Sequence, residues 1–156
     1  MRFVLIAVMA FVLAVTAGCG SDPVAEDIKS YVPKVQEILP LANEAQNAFL
    51  KGGSSDEERL KTIDSIVVPR YKEFISKLEQ IRPQTKELRD LHEIYIKSAN
   101  KEYSAYSQIN SVSVLTNIGQ INDALAESRA EMRKYNDGVA ELLKQHGLKI
   151  VPPSTK

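Results

Sequence analysis

Residues 118–142 read IGQINDALAESRAEMRKYNDGVAEL. Within them Ile118, Ile121, Leu125, Ser128, Met132, Tyr135, Val139 and Leu142 recur in alternating steps of three and four. That spacing lays one stripe along a helix of 3.6 residues per turn; a strand, with its period of two, does not produce it. Gly147 stands where a glycine ends a helix in the left-handed conformation, and Leu148 follows it.

The same period recurs three times upstream. Asp22-Pro23 supplies an N-cap and a first-turn proline. Ile28, Val32, Val35, Leu39, Ala42 and Phe49 then mark one face, and Gly52-Gly53 ends that segment. Ser55 and Glu58 have the capping-box spacing, ahead of a stripe at Leu60, Ile63, Val67, Phe74, Leu78 and Ile81. Arg82-Pro83 breaks it, and Pro83 is expected to open a third helix carrying Leu88, Leu91, Tyr95, Ala99, Tyr103 and Tyr106. Glu57–Lys61, Glu73–Lys77 and Glu93–Lys97 place Glu four residues before Lys, the favourable order on a helix surface. Pro33, Pro40 and Pro69 fall inside these patterns and are expected to kink them rather than to act as hinges.

Four segments of roughly 27 residues, about 40 Å each, predict an all-α protein: an antiparallel up-down-up-down four-helix bundle. The alternative fuses the third and fourth segments into one long helix, giving an elongated three-helix arrangement.

Residues 1–19 carry a different signal. Arg2 precedes an apolar run from Phe3 to Val15, and Thr16-Ala17-Gly18 leads to Cys19, the chain's single cysteine. The layout is that of a secretory signal peptide, too short in its apolar part to span a bilayer comfortably. Ala17-Gly18-Cys19 resembles the lipobox of bacterial lipoproteins. That resemblance implies that Cys19 is acylated, that residues 1–18 are removed, and that the protein is held by lipid on the extracytoplasmic side of the cell envelope. Gly20, in place of the aspartate usual for inner-membrane retention, would send it to the outer membrane of a two-membrane bacterium. The competing reading is an ordinary secreted protein cut near Ala17, which would leave a free thiol. The whole chain also looks like the small helical-bundle lipoproteins of bacterial envelopes, a likeness felt over Glu87–Ile96 that brings no functional motif with it.

The expected organisation is therefore a signal peptide over 1–18, an acylated tether over 19–23, a helical bundle over 24–148 and a short tail over 149–156. Removing residues 1–18 from the 156-residue chain leaves about 138, enough for one domain with a real core. The chain has 20 basic and 20 acidic side chains, so nothing marks it for nucleic acid or for an anionic membrane surface. With one cysteine, an intrachain disulfide and a thiolate metal site are both excluded.

Enzyme signatures are missing. Arg89 stands three residues before His92 and Leu143 three before His146, so neither makes the Glu-x-x-His of a di-iron bundle. His92-Glu93 has no second histidine one turn on, and no phosphate loop or nucleophile elbow occurs. His92 is expected at the edge of a helix face and His146 in a last turn, near the negative end of the dipole. Glu87, Asp90 and Glu93 are expected on a solvated face. The sequence thus predicts no enzyme, no metal and no cofactor.

One window departs from the chain's average. From Tyr103 to Asn122 there is no charged residue, in a chain that is 26% charged. It is a buried turn or a partner surface, since interfaces are poor in Lys, Glu and Asp and rich in tyrosine. On the second reading Tyr103, Tyr106, Val112, Val114 and Leu115 are candidate partner contacts at a membrane-distal tip. Tyr95, Tyr103 and Tyr106 lie near one helix face, suited either to core packing or to stacking on sugar rings. The expected function is a non-catalytic, lipid-anchored envelope adaptor, with a binding module for cell-wall glycan, lipid or another small ligand as the alternative.

Overall fold

A computed structural model describes residues 12–14, 22–111 and 114–151. Helix α1 spans Pro23–Lys51, α2 Asp56–Thr62, α3 Val68–Leu78, α4 Lys86–Ser111 and α5 Val114–Gln145. A π-helical turn, Ile63–Val67, joins α2 to α3, so these two make one rod and the molecule is a four-helix bundle. Two short strands, β1 (Val12–Ala14) and β2 (Lys149–Val151), pair antiparallel. The segment expected to be a plain tail therefore begins in a strand.

The α4–α5 pair decides against the fused three-helix alternative. Lys97 reaches Glu131 at 3.0 Å, Ser98 Oγ donates to the Ser128 carbonyl at 2.9 Å, and Lys101 pairs with Glu127. As one number rises the other falls, so α4 and α5 run antiparallel along a shared face. Lys97 thus bridges to α5 rather than to Glu93 on its own helix, whereas Lys77 does meet Glu73, at 3.4 Å.

Several helix ends follow from local chemistry. Asp22 caps α1, its side chain accepting from the amides of Val24 and Ala25 at 3.0 and 3.3 Å, with Pro23 in the first turn. At the far end of α5, Leu148 N donates to the Leu143 carbonyl at 2.9 Å and Gly147 N to that of Lys144 at 3.2 Å. Gly147 has φ +64°, completing a Schellman motif. Ser55 caps α2 through Glu58 N at 3.2 Å, but the return half of the capping box is displaced. The Glu58 carboxylate accepts instead from Ser54 N and Ser54 Oγ, both at 2.7 Å, and these bonds hold it below the usual carboxylate range. Gly53 lies so close to this turn that a Cβ there would sit 2.8 Å from the Glu58 carbonyl carbon, a space only glycine fits.

The prolines act differently from one another. Pro33 and Pro40 sit on the exposed side of α1, which stays helical through both. Pro69 offers no N–H to the Ser65 carbonyl and crowds it, and the π turn falls immediately before it. There Val68 N donates to Ile63, five residues back, which widens the helix enough to admit the proline ring. Pro83 does not open the third helix. α4 begins at Lys86 because Thr85 takes the capping position, its carbonyl accepting from Arg89 N at 3.0 Å.

Phe74, Leu78 and Leu88 are fully buried, each contributing on the order of 1.5–3 kcal/mol by leaving water. Around them rings touch in sequence from one end of the bundle to the other. Phe49 and Tyr106 lie 4.9 Å apart, Tyr106 and Tyr71 5.4 Å, and Tyr71 and Phe74 5.5 Å. Phe74 and Tyr95 follow at 6.0 Å, then Tyr95 stacks on Tyr135 at 4.6 Å. Every described core residue falls between Ala25 and Leu148, so the bundle closes on itself within that span.

Stripe positions on two helices differ from expectation. Leu60 is exposed on α2, at 40%, because this short helix buries no residue. On α5, Ile121, Ser128, Tyr135 and Leu142 are buried while Leu125, Met132 and Val139 between them are only half-buried. The half-buried set repeats every seven residues, so one edge of the α5 stripe faces incompletely filled space.

Candidate functional site

That space lies between α1 and α5. The α4–α5 and α1–α3 pairs are in close backbone contact, whereas α1 and α5 stand apart and flank a partly open cavity of about 270 Å³ along their seam. Val35, Leu39 and Ala42 line its α1 side, and Met132, Val139 and Leu142 its α5 side. Rings of Tyr71, Phe74 and Tyr95 form the floor. On α1 the lining runs from Ile28 to Gln46, which at 1.5 Å per residue is about 27 Å. The cavity is therefore long and narrow, and mostly apolar.

Polar groups occur at three levels along it. Toward the end where the 52–55 connection lies is Glu102, 7% exposed on α4. Its carboxylate accepts from Tyr71 OH and Tyr106 OH, each at 2.7 Å, and from Gln46 Nε2 at 3.4 Å. Burial first, then the Glu102 charge, hold both phenols above their ordinary range, so they remain donors at neutral pH. Midway, Ser128 lines the cavity and shares a 3.2 Å contact with Ser98 Oγ. At the other end Tyr31 OH lies 3.3 Å from Tyr135 OH and 3.1 Å from His92 Nδ1. Burial pushes the Tyr135 phenol up to about 12.

His92 is not at the edge of a helix face. It is 4% exposed, its ring stands edge-on to Tyr31, and Nε2 has no partner at hydrogen-bond distance. Burial holds the imidazole below its ordinary value of 6.5, a shift that the nearby Leu78 and Ile81 carbonyls oppose and the Arg82 charge reinforces. An imidazole depressed on folding takes up its proton more readily in the unfolded chain. Stability from His92 is thus complete above pH 6.5 and declines as the pH falls toward the depressed value. Urea unfolding of wild type is expected to weaken between pH 7 and pH 5, with a smaller slope in His92→Gln; equal slopes would remove the assignment. His146 closes the last turn of α5, its N donating to the Leu142 carbonyl at 3.2 Å, and its Nδ1 meets Asp22 Oδ2 at 2.5 Å, joining the end of α5 to the start of α1 and holding the Asp22 carboxyl low.

The structure separates the sequence-predicted contacts. Tyr106 is 3% exposed, with its hydroxyl on Glu102 and its ring against Phe49 and Tyr71, so it offers no face to a partner or a sugar. Tyr95 is likewise covered, by Phe74 and Tyr135. Tyr103 is half-buried against the core. Val114 and Leu115 open α5. Val112 and Cys19 lie outside the described residues.

Glu102 was missed from sequence, although a signal existed. Leu88, His92, Tyr95, Ala99, Glu102 and Tyr106 step by four and three without a slip, which puts both the histidine and the glutamate in the seam. Among the described residues no three His, Cys, Asp or Glu side chains converge as a metal ion requires, and no helix is long and apolar enough to cross a membrane. In comparisons with known proteins, no family model, curated protein or solved structure matches this chain.

Proposed function

We propose that this protein is a non-catalytic ligand-binding module, tethered to the envelope by lipid on Cys19, that holds an apolar small molecule between α1 and α5. The cavity carries this reading. A cleft of about 270 Å³ with mainly apolar walls leaves those walls against water unless something covers them, and covering them is favourable in proportion to the apolar area removed from water. Ligand sites have this make-up, apolar walls with a few placed polar groups, and helix bundles build them between helices. The anchor rests on the lipobox resemblance at Ala17-Gly18-Cys19.

The test uses N-phenyl-1-naphthylamine, a neutral apolar dye that brightens out of water. The mature chain is expected to bind it with micromolar affinity. Ala42→Leu adds bulk at a buried wall position and is expected to weaken binding at least tenfold while leaving the melting temperature within a few degrees. No dye binding, or undiminished binding by a folded Ala42→Leu chain, would remove the reading.

A second reading keeps the adaptor function. Leu50 and Leu60, 66% and 40% exposed, flank the 52–55 connection at the end of the bundle opposite Asp22. Apolar side chains exposed on both sides of one turn favour a protein partner there. Partner capture that survives Ala42→Leu and is lost in Leu50→Glu/Leu60→Glu would favour it.

A further inference from the structure

The one buried charged group lining the cavity is a carboxylate, and among the described residues no lysine, arginine or histidine pairs with it. Glu102 is held only by neutral donors. Oε1 takes Tyr106 and, at 3.4 Å, Gln46, while Oε2 takes Tyr71 alone. A carboxylate has about four acceptor positions, so Oε2 has capacity left for another donor. Removing a carboxylate from water is costly, and neutral hydrogen bonds offset that cost less completely than a cation does. Arg129 and Asp137 also line the cavity, but both are exposed, opposite in sign and two helical turns apart on α5. They leave the interior field to Glu102.

The shape adds a second constraint. The cavity follows α5 from Ser128 to Leu143, a rise of roughly 22 Å, and is lined mostly by apolar side chains. That length and lining match one extended alkyl chain. Beyond Glu102 the walls down to Ile28, Leu142 and Leu143 are mainly apolar, and the buried polar groups there, Ser128, Tyr31 and Tyr135, are neutral.

Resting on the ligand-binding reading above, we infer that the ligand is a single-chain amphiphile whose polar end is a protonated amine. The ammonium donates to Glu102 Oε2 at the end of the cavity nearer the 52–55 connection. The alkyl chain lies along the α1–α5 seam toward Leu142. Glu102 selects the head group and the apolar walls hold the chain.

The experiment measures displacement of N-phenyl-1-naphthylamine from the mature chain by dodecylamine, dodecanol and dodecanoate at pH 7, all below their micelle concentrations. On wild type the amine is expected to displace the dye at a concentration at least tenfold lower than the carboxylate, with the alcohol between them. In Glu102→Gln the amine's advantage over the alcohol is expected to shrink to within about twofold. The wild-type series needs no variant, so an unfolded Glu102→Gln leaves the head-group order decisive. Equal displacement by all three, or tighter binding of the carboxylate, would overturn the inference while leaving the apolar site intact. Dye that fails to bind at all would remove both.

Discussion

Cys19→Ser is expected to release this protein from membranes. The test requires a general secretory signal in place of residues 1–18, because an uncut apolar run from Phe3 to Val15 could itself hold the chain. Each buried methylene contributes about 0.8 kcal/mol, and a single myristoyl chain already gives an association constant on the order of 10⁴ M⁻¹. Two or three chains on one cysteine would exceed that by many powers of ten, so the wild type is expected wholly in the membrane pellet. No described helix can replace that anchor by crossing the bilayer. Cys19→Ser should therefore appear in the soluble fraction, with helical circular dichroism and melting temperature unchanged, since the core runs only from Ala25 to Leu148. Intact-mass analysis of the wild type should show the acyl additions. A Cys19→Ser chain that stays in the pellet after cleavage, or an unmodified wild-type mass, would remove the anchor from the proposal. Processing has one structural consequence. On the proposed cut before Cys19 it would remove β1, and β2 would lose the strand that pairs with it.

The helices were legible because burying one face of each rod imposes a period on the apolar residues, and that period needs no knowledge of the neighbours. Gly147 and Asp22 were legible for a related reason, their bonds being made within a few residues of themselves. The start of α4 was not. Pro83 has the local signature of a first turn, but Thr85 is made the cap by a residue nearly sixty positions away. Charged residues in the seams were hidden by the same rule that exposed the helices. A stripe drawn through apolar residues passes over Glu102 and takes Tyr103, although Glu102 is buried and Tyr103 only half so. The cavity was out of reach altogether. Met132 and Val139 look like ordinary core positions, and only the distance between α1 and α5 leaves them half-covered.

The strongest single tie of that long-range kind is Asp27. It lies on α1 at 7% exposure, and its Oδ2 accepts from Gln84 N at 2.8 Å, Thr85 N at 2.7 Å and Thr85 Oγ1 at 2.8 Å. Thr85 is the residue from which α4 starts, so this one carboxylate satisfies orphan amides at a helix N-terminus and places the α3–α4 connection against α1. A hydrogen bond to a charged group contributes about 1.5–3 kcal/mol, and the donors share one acceptor, so the three together are not additive. Asp27→Ala is expected to cost about 3 kcal/mol, a fall on the order of 10 °C in melting temperature. It should also speed hydrogen exchange at the amides of Gln84 and Thr85 before the rest of α4. Asp27→Asn keeps an acceptor oxygen without the charge, so it should fall between wild type and alanine. Asp137→Ala, on the exposed side of α5, should change stability by less than about 0.5 kcal/mol. A loss under about 1 kcal/mol in Asp27→Ala would mean that water replaces the carboxylate at Thr85. The start of α4 would then be held by α3 and α5 rather than by α1. That outcome would bear on the cavity as well, because α1 is one of its two walls and Asp27 joins Asp22 and Tyr31 in fixing the N-terminal end of that wall to the bundle.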